Sequence, residues 1–458
     1  MKKLNLINTI LVSILLIFGF ILSYSFNLYY PFGHLDLFSS GYILIELLKI
    51  SGFLLLPLGI YYNHKTSRNI SKLLFPIICT LSLILNTSIF FSLDKNSLPF
   101  PNSNNLDIET IGIYNEINQF IPKYIINSLF IIINLLMIIS SIIVFIEDKY
   151  ETNDLKSFVY LPLVILLTLP LNIFATFVSK LSTNTYSIIR FDNFTIWHFL
   201  MFILLICITL LTYSYLKKKD YDTQVLYLRA LAIVMMIHYF SKDSLVIGDG
   251  YNVYNLVFST IPFFICDIGK FIVVLALFTK KKVFYDIAYF VHSAGALTVF
   301  FYFGKTGTHN YGTILSYSYL YFVLTHLLLF MLSVLPVMLK HTSFKFKDVK
   351  IPIIYYGVVI LISTFTSVGI TNLMANYIDS NGNSLDFIYL PNYAFTQICP
   401  LPVIFPTFMN IKIGICEVNF FYEIVLYIAY ICIFFAFYIF QYFAPKGVKY
   451  LKLKLFKS

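Results

Sequence analysis

Apolar runs alternate with short polar segments from one end of this chain to the other, and a run of about 20 residues is what a helix needs to cross the hydrocarbon of a bilayer. The pattern predicts helices near Leu4 to Phe26, Ser39 to Tyr62, Lys72 to Leu93, Tyr124 to Ile146, Val159 to Ser179 and Phe194 to Leu216. It continues with Val225 to Phe240, Asn255 to Thr279, Phe284 to Phe303, Thr313 to Leu339, Ile351 to Met374 and Val418 to Phe443. In hydrocarbon a span must satisfy its own backbone hydrogen bonds, so runs of this length form helices. The expected fold is an all-α integral membrane protein with about twelve transmembrane helices.

Composition strengthens this reading. Hydrophobic residues make up 59% of the chain and charged residues 12%, and the mean hydropathy is +0.81, which leaves too little polar surface for a water-soluble globule. Alternating the loops from an inside N-terminus gathers most of the 32 Lys and Arg on one side, in Lys2, Lys3, Lys65 to Lys72, Lys217 to Lys219, Lys280 to Lys282, Lys340 to Lys350 and the tail from Lys446 to Lys457. By the positive-inside rule that side is cytoplasmic, which places both termini there and makes the chain a multi-pass protein of the cell membrane. The acidic stretch Glu147 to Asp154 is the exception to the bias. The net charge of +10 lies in juxtamembrane clusters suited to anionic lipid headgroups, so membrane lipids, and not nucleic acid, are the expected partners. Met1 to Phe20 has the basic start and apolar core of a signal peptide but no small-x-small cleavage site after it, and is read as an uncleaved first span.

The longest loops, Asp94 to Lys123 and Ala375 to Glu417, are too short for a comfortable soluble domain. The six cysteines, at 79, 207, 266, 399, 416 and 432, show no CxxC pair and no metal-ligand spacing, so no metal is expected. Cys399 and Cys416 share one outer loop and would be placed to pair in an oxidising compartment.

The informative positions are ionisable groups inside the spans, because burying one in lipid costs several kcal/mol unless it is paired or hydrated. Glu46 and Lys49, three apart on one helix, suit a local ion pair. Arg229 and His238 fall in the seventh span, Cys266, Asp267 and Lys270 in the eighth, Asp286 and His292 in the ninth, His326 in the tenth and Glu423 in the twelfth. Counting helical rise from the outer ends puts Cys266, His292 and His326 at one depth, about 15 to 20 Å in. A thiol with an imidazole beside it is the minimal arrangement for a thiolate nucleophile, and Asp267 is placed to orient or balance that imidazole. The plainer reading is that Cys266 is packing, the histidines are interhelical hydrogen-bonding groups, and Asp267 and Lys270 neutralise each other. Pro262 is expected to bend the eighth span. Arg229 is the best phosphate-holding candidate, since guanidinium binds phosphate bidentately; packing or pairing with Asp267 is the alternative.

The second half resembles a known family. Ser259 to Phe300, STIPFFICDIGKFIVVLALFTKKKVFYDIAYFVHSAGALTVF, is similar to the YwaF-type bacterial membrane proteins, relatives of the eukaryotic transmembrane protein 164. There a Leu-Pro-Leu-polar-Leu-Cys motif opens a span, a basic loop follows, and a Gly-Ala-Leu helical turn comes next; Pro262 to Cys266 and Gly295 to Leu297 occupy those places. Tyr317 to His326 (YSYLYFVLTH) resembles the aromatic run ending in a membrane histidine, Asn392 to Phe395 (NYAF) before Pro400 resembles a late Asn-Tyr-x-Phe loop, and Trp197 with His198 matches a polar histidine near the family's first span. The resemblance covers about residues 190 to 445. It divides the chain into an unassigned five-helix region 1–185, a seven-helix module 186–445 and a basic tail 446–458. Phe264 stands where the motif carries a polar residue.

The eukaryotic relative moves fatty acyl chains between phospholipids through a cysteine. The resemblance therefore implies Cys266 as nucleophile and His326 as general base, with Arg229, Asp267, His292, Asn392 and His198 expected around the substrate. Two other functions fit the layout. Twelve spans with both ends inside also describe a secondary transporter, although glycine is sparse at 18 residues and no broken-helix pair recurs in the two halves. A non-catalytic lipid-binding protein, its thiol a packing group, is the third.

Overall fold

A computed structural model describes residues 2–29, 41–92, 123–148, 151–169, 196–240, 263–301, 317–373 and 410–455. Helix occupies at least part of every expected apolar stretch. Seven stretches among the described residues are long and apolar enough to cross a membrane: Leu44–Tyr61, Lys65–Ile84, Ser128–Asp148, Phe199–Leu216, Tyr221–Phe240, Phe346–Leu373 and Phe420–Ile439. Described residues of 1–189, 233–260 and 313–321 form one compact unit, and those of 190–232, 261–312 and 322–458 form a second.

In the first unit α1 (Lys2–Tyr29), α2 (Gly41–Ile50), α3 (Gly52–Tyr61), α4 (Lys65–Ser92) and α5 (Lys123–Asp148) pack as a bundle, followed by a 3-10 turn (Thr152–Tyr160) and α6 (Leu161–Thr168). Polar bonds knit the apolar helices. Asn8 and Ser140 exchange two hydrogen bonds, Asn8 Nδ2 to Ser140 O at 3.2 Å and Ser140 Oγ to Asn8 Oδ1 at 2.6 Å. Glu46 and Lys49 form the local ion pair, and Ser82 of α4 joins both, donating to Glu46 Oε1 at 2.7 Å and accepting from Lys49 Nζ at 3.3 Å.

The acidic exception to the charge bias has a physical cause here. Arg68 Nη2 lies 2.8 Å from Glu147 and its Nε 2.5 Å from Asp148, and Lys72 Nζ lies 2.7 Å from Asp154. The acids neutralise two buried cations of α4, which also explains why that helix starts at Lys65, seven residues before the expected span. Pairing supplies what burial of such residues requires.

The second unit contains α7 (Ile196–Leu216), the first three turns of α8 (Tyr221–Phe240), α9 (Ile265–Thr279), α10 (Lys282–Ile287), α11 (Ser293–Phe301), most of α12 (Tyr317–Met338), α13 (Lys350–Leu373) and α14 (Phe420–Leu455). A hairpin of β1 (Ile411–Ile413) and β2 (Cys416–Val418) precedes α14, in the register Ile411 opposite Val418. Gly414 turns this hairpin at φ +65, a conformation open to glycine. The core gathers Phe290, Val291, Ala294, Tyr356, Ile360 and Phe434, from α11 and the turn before it, α13 and α14.

Two departures from regular helix shape this unit. The eighth expected span is not one helix: Phe264 is extended at φ −67, ψ 137, and α9 begins only at Ile265. The ninth is interrupted by a π turn, Ala288–His292, between α10 and α11. Within it the Tyr289 carbonyl accepts a bond from Ser293 Oγ. Such an insertion rotates the residues before it relative to those after it and is frequent at functional sites.

Candidate functional site

Because α9 starts at Ile265, Cys266 sits in its first turn. The helical ladder opens with Asp267 N and Ile268 N, which both donate to Phe264 O, at 2.9 and 3.0 Å; the N–H groups of Ile265 and Cys266 precede it. A first turn carries the positive end of the helix dipole and lowers the cost of an anion there. The extended entry is held by α13, whose Ser363 Oγ donates to Phe263 O at 3.2 Å. This contact satisfies a carbonyl that a broken helix would otherwise leave exposed to lipid.

Asp267 and Lys270, three apart, form an ion pair of 2.6 Å with Lys270 only 1% exposed. Side chains on a helix lean toward its N-terminus. Lys270 follows that lean, so its ammonium stands at the level of Asp267 and Cys266. The charges of Lys270 and Asp267 act on the half-buried Cys266 thiol, and the same two charges act on the ring of His326.

His326, on α12, makes a bond of 2.7 Å between Nδ1 and the carbonyl of Phe322 one turn earlier, and its ring lies over that of Phe322 at 4.2 Å. A carbonyl can only accept, so Nδ1 carries the proton and Nε2 is the basic nitrogen of the neutral tautomer. That is the tautomer a general base needs.

His292 closes the π turn and packs on the neighbouring stripe of α9. A Cβ built on Gly269 would stand 2.6 Å from His292 Nδ1 and 2.7 Å from its Cγ, so the ring fills the space that glycine leaves. On its other side His292 Nε2 lies 3.2 Å from the hydroxyl of Tyr355 on α13. Tyr355 was not singled out from the sequence. Nor was Thr364, whose hydroxyl donates to the buried Glu423 at 2.9 Å.

Arg229 is not with these groups. Its Nε and Nη2 donate to Leu277 O and Phe278 O at 2.8 and 3.1 Å, at the far end of α9, roughly 16 Å along the axis from Cys266. The guanidinium caps carbonyls at the end of a helix, and Asp267 is paired with Lys270. His198 lies in α7 with its side chain outside the described residues, and Asn392, Cys399 and Pro262 also lie outside them.

Comparison with known proteins finds a match to the family model described as the TMEM164 family, over residues 193–430. No curated protein and no solved structure matches this chain.

Proposed function

The chain belongs to the TMEM164 family, and from that premise we propose that this polytopic membrane protein is a cysteine-dependent acyltransferase working on membrane lipid, a YwaF-type member resident in the cell membrane. The observation that carries the reading is that the family match spans both a thiol in the first turn of α9, beside the Asp267–Lys270 ion pair of 2.6 Å, and an imidazole on α12 whose Nδ1 is committed to Phe322 O.

In the first half-reaction His326 Nε2 takes the Cys266 proton, and the sulfur attacks the carbonyl carbon of a lipid ester. The N–H groups of Ile265 and Cys266 are the candidate donors to the tetrahedral oxyanion. Collapse breaks the carbon–oxygen bond, the lysolipid oxygen takes the proton from the imidazolium, and the acyl group remains as a thioester. A lipid hydroxyl or amine then loses its proton to His326, attacks the thioester carbonyl, and releases the sulfur, which recovers the proton. Dividing the transfer in two steps needs no soluble cofactor.

The test is mass spectrometry of the full chain, intact and after digestion, following incubation with phosphatidylcholine vesicles. A fatty-acyl mass increment on the Cys266 peptide, removed by neutral hydroxylamine and missing in Cys266→Ala, is the expected result. An unmodified Cys266 with donor lipid in excess overturns the proposal.

A further inference from the structure

We propose that Lys270 is the electrostatic partner of the Cys266 sulfur, a positioning residue that stabilises the thiolate, and that Asp267 sets how much of the ammonium's charge the sulfur feels. This rests on the reading of Cys266 as the nucleophile.

Lys270 follows Cys266 by four residues and so shares its face of α9, in a stripe continued by Val273 and Leu277, both buried. Its ammonium is drawn back one turn to meet Asp267 at 2.6 Å. An ammonium this buried requires a counter-charge. One carboxylate supplies it, and that carboxylate belongs to the residue next to the cysteine. If Asp267 were the only charge here, ionising Cys266 would place two anions on consecutive residues in a medium of low dielectric. With Lys270 present and His326 holding the thiol proton, the cluster contains two anions and two cations. Ionisation then leaves the site neutral overall.

Among the described residues, the titratable side chains on the helices packed about α9 include His292, whose Nε2 lies 3.2 Å from the Tyr355 hydroxyl, Glu423, held by Thr364, and the Asp286–Lys282 pair. His292 packs on the adjacent stripe of α9, at Gly269. Arg229 is bound at the far end of α9 and Lys282 is half exposed, so the buried permanent cation on the cysteine's own face of the helix is Lys270.

A charge role and a structural role predict different patterns of reactivity. In the full-length chain with the five other cysteines replaced by alanine, the rate of Cys266 alkylation by N-ethylmaleimide at fixed pH reports the thiolate population, because the thiolate is the species that adds to the maleimide double bond. Lys270→Met leaves the carboxylate beside the sulfur and is expected to slow alkylation by roughly tenfold, while Asp267→Asn frees the ammonium and is expected to speed it by a similar factor, each equal to about one pKa unit. Lys270→Arg keeps the charge and retains most of the rate. Melting temperature, measured alongside, identifies any variant that fails to fold; the Asp267→Asn and Lys270→Arg arms then decide.

Shifts of the same sign in Lys270→Met and Asp267→Asn, or an unchanged rate in either, overturn the proposal. Alkylation is read without acyl transfer, so the two readings fail separately. Opposite shifts in a chain that never forms the acyl adduct sustain the role of Lys270 and remove the transferase. An acyl adduct on a Cys266 whose alkylation ignores Lys270 does the reverse.

Discussion

The imidazole of His292 occupies the place where a side chain on Gly269 would begin, with Nδ1 2.6 Å from the position of a Cβ. Atoms do not approach so closely, and the ring cannot withdraw freely, because Tyr355 meets its other nitrogen at 3.2 Å. Gly269→Ala must therefore push α9 away from the π turn. Overpacking of this kind costs about 1–3 kcal/mol. The expected outcome is a lower melting temperature in detergent, together with weaker acyl-adduct formation at Cys266, one turn away on the displaced helix. Full stability and full adduct in the alanine variant would show that this contact positions nothing.

His326 is expected to matter through one nitrogen. Its Nδ1 donates to Phe322 O at 2.7 Å, which makes Nε2 the nitrogen proposed to take the thiol proton. His326→Ala removes the base and should slow adduct formation about 10²- to 10⁴-fold, with melting changed far less. The decisive measurement is single-turnover acylation over a range of pH. In the alanine variant the rate should keep rising with pH as hydroxide replaces the lost base, and a rate equal to that of the parent chain would exclude His326 from the chemistry.

What the sequence made legible follows how local each feature is. Apolar runs announced the helices, and pairs three apart announced themselves as well: Glu46 with Lys49, and Asp267 with Lys270, depend only on helical spacing. The break at Phe264 was foreshadowed by Pro262, but the two phenylalanines between the proline and the helix read as continuous span. This concealed that Cys266 occupies a first turn and not the middle of a helix. Tyr355 was invisible because its meeting with His292 depends on a one-residue π insertion, which no hydrophobic period records. Arg229 was chosen for its chemistry, whereas its position was decided by the unpaired carbonyls at the end of another helix.

Arg229 yields a prediction that separates capping from lipid binding. If its task is to hold Leu277 O and Phe278 O, Arg229→Ala should lower stability by about 1.5–3 kcal/mol, the range for hydrogen bonds to a charged group. The concentration of phospholipid that gives half-maximal acylation should stay unchanged. A large rise in that concentration with normal melting would restore the arginine to the substrate.

The ionic clamp of the first unit predicts a dependence on acid. Burial by itself would raise the Asp154 carboxyl, but the bond from Lys72, the backbone N–H of Glu151 and the charges of Lys72 and Lys65 override it and hold the group below the ordinary aspartate range. A carboxylate whose pKa is lower in the folded than in the unfolded state stabilises the fold fully above the unfolded value, about pH 4, and loses that contribution as pH falls through the folded value. Asp154→Asn should therefore melt well below the parent chain at pH 7, with the gap closing as pH drops below about 4. Arg68→Ala strands Glu147 and Asp148 together, and breaking so buried a pair costs about 3 kcal/mol. A gap that stays constant from neutral to acidic pH in Asp154→Asn would mean that packing, and not charge, joins α4 to the segment following α5.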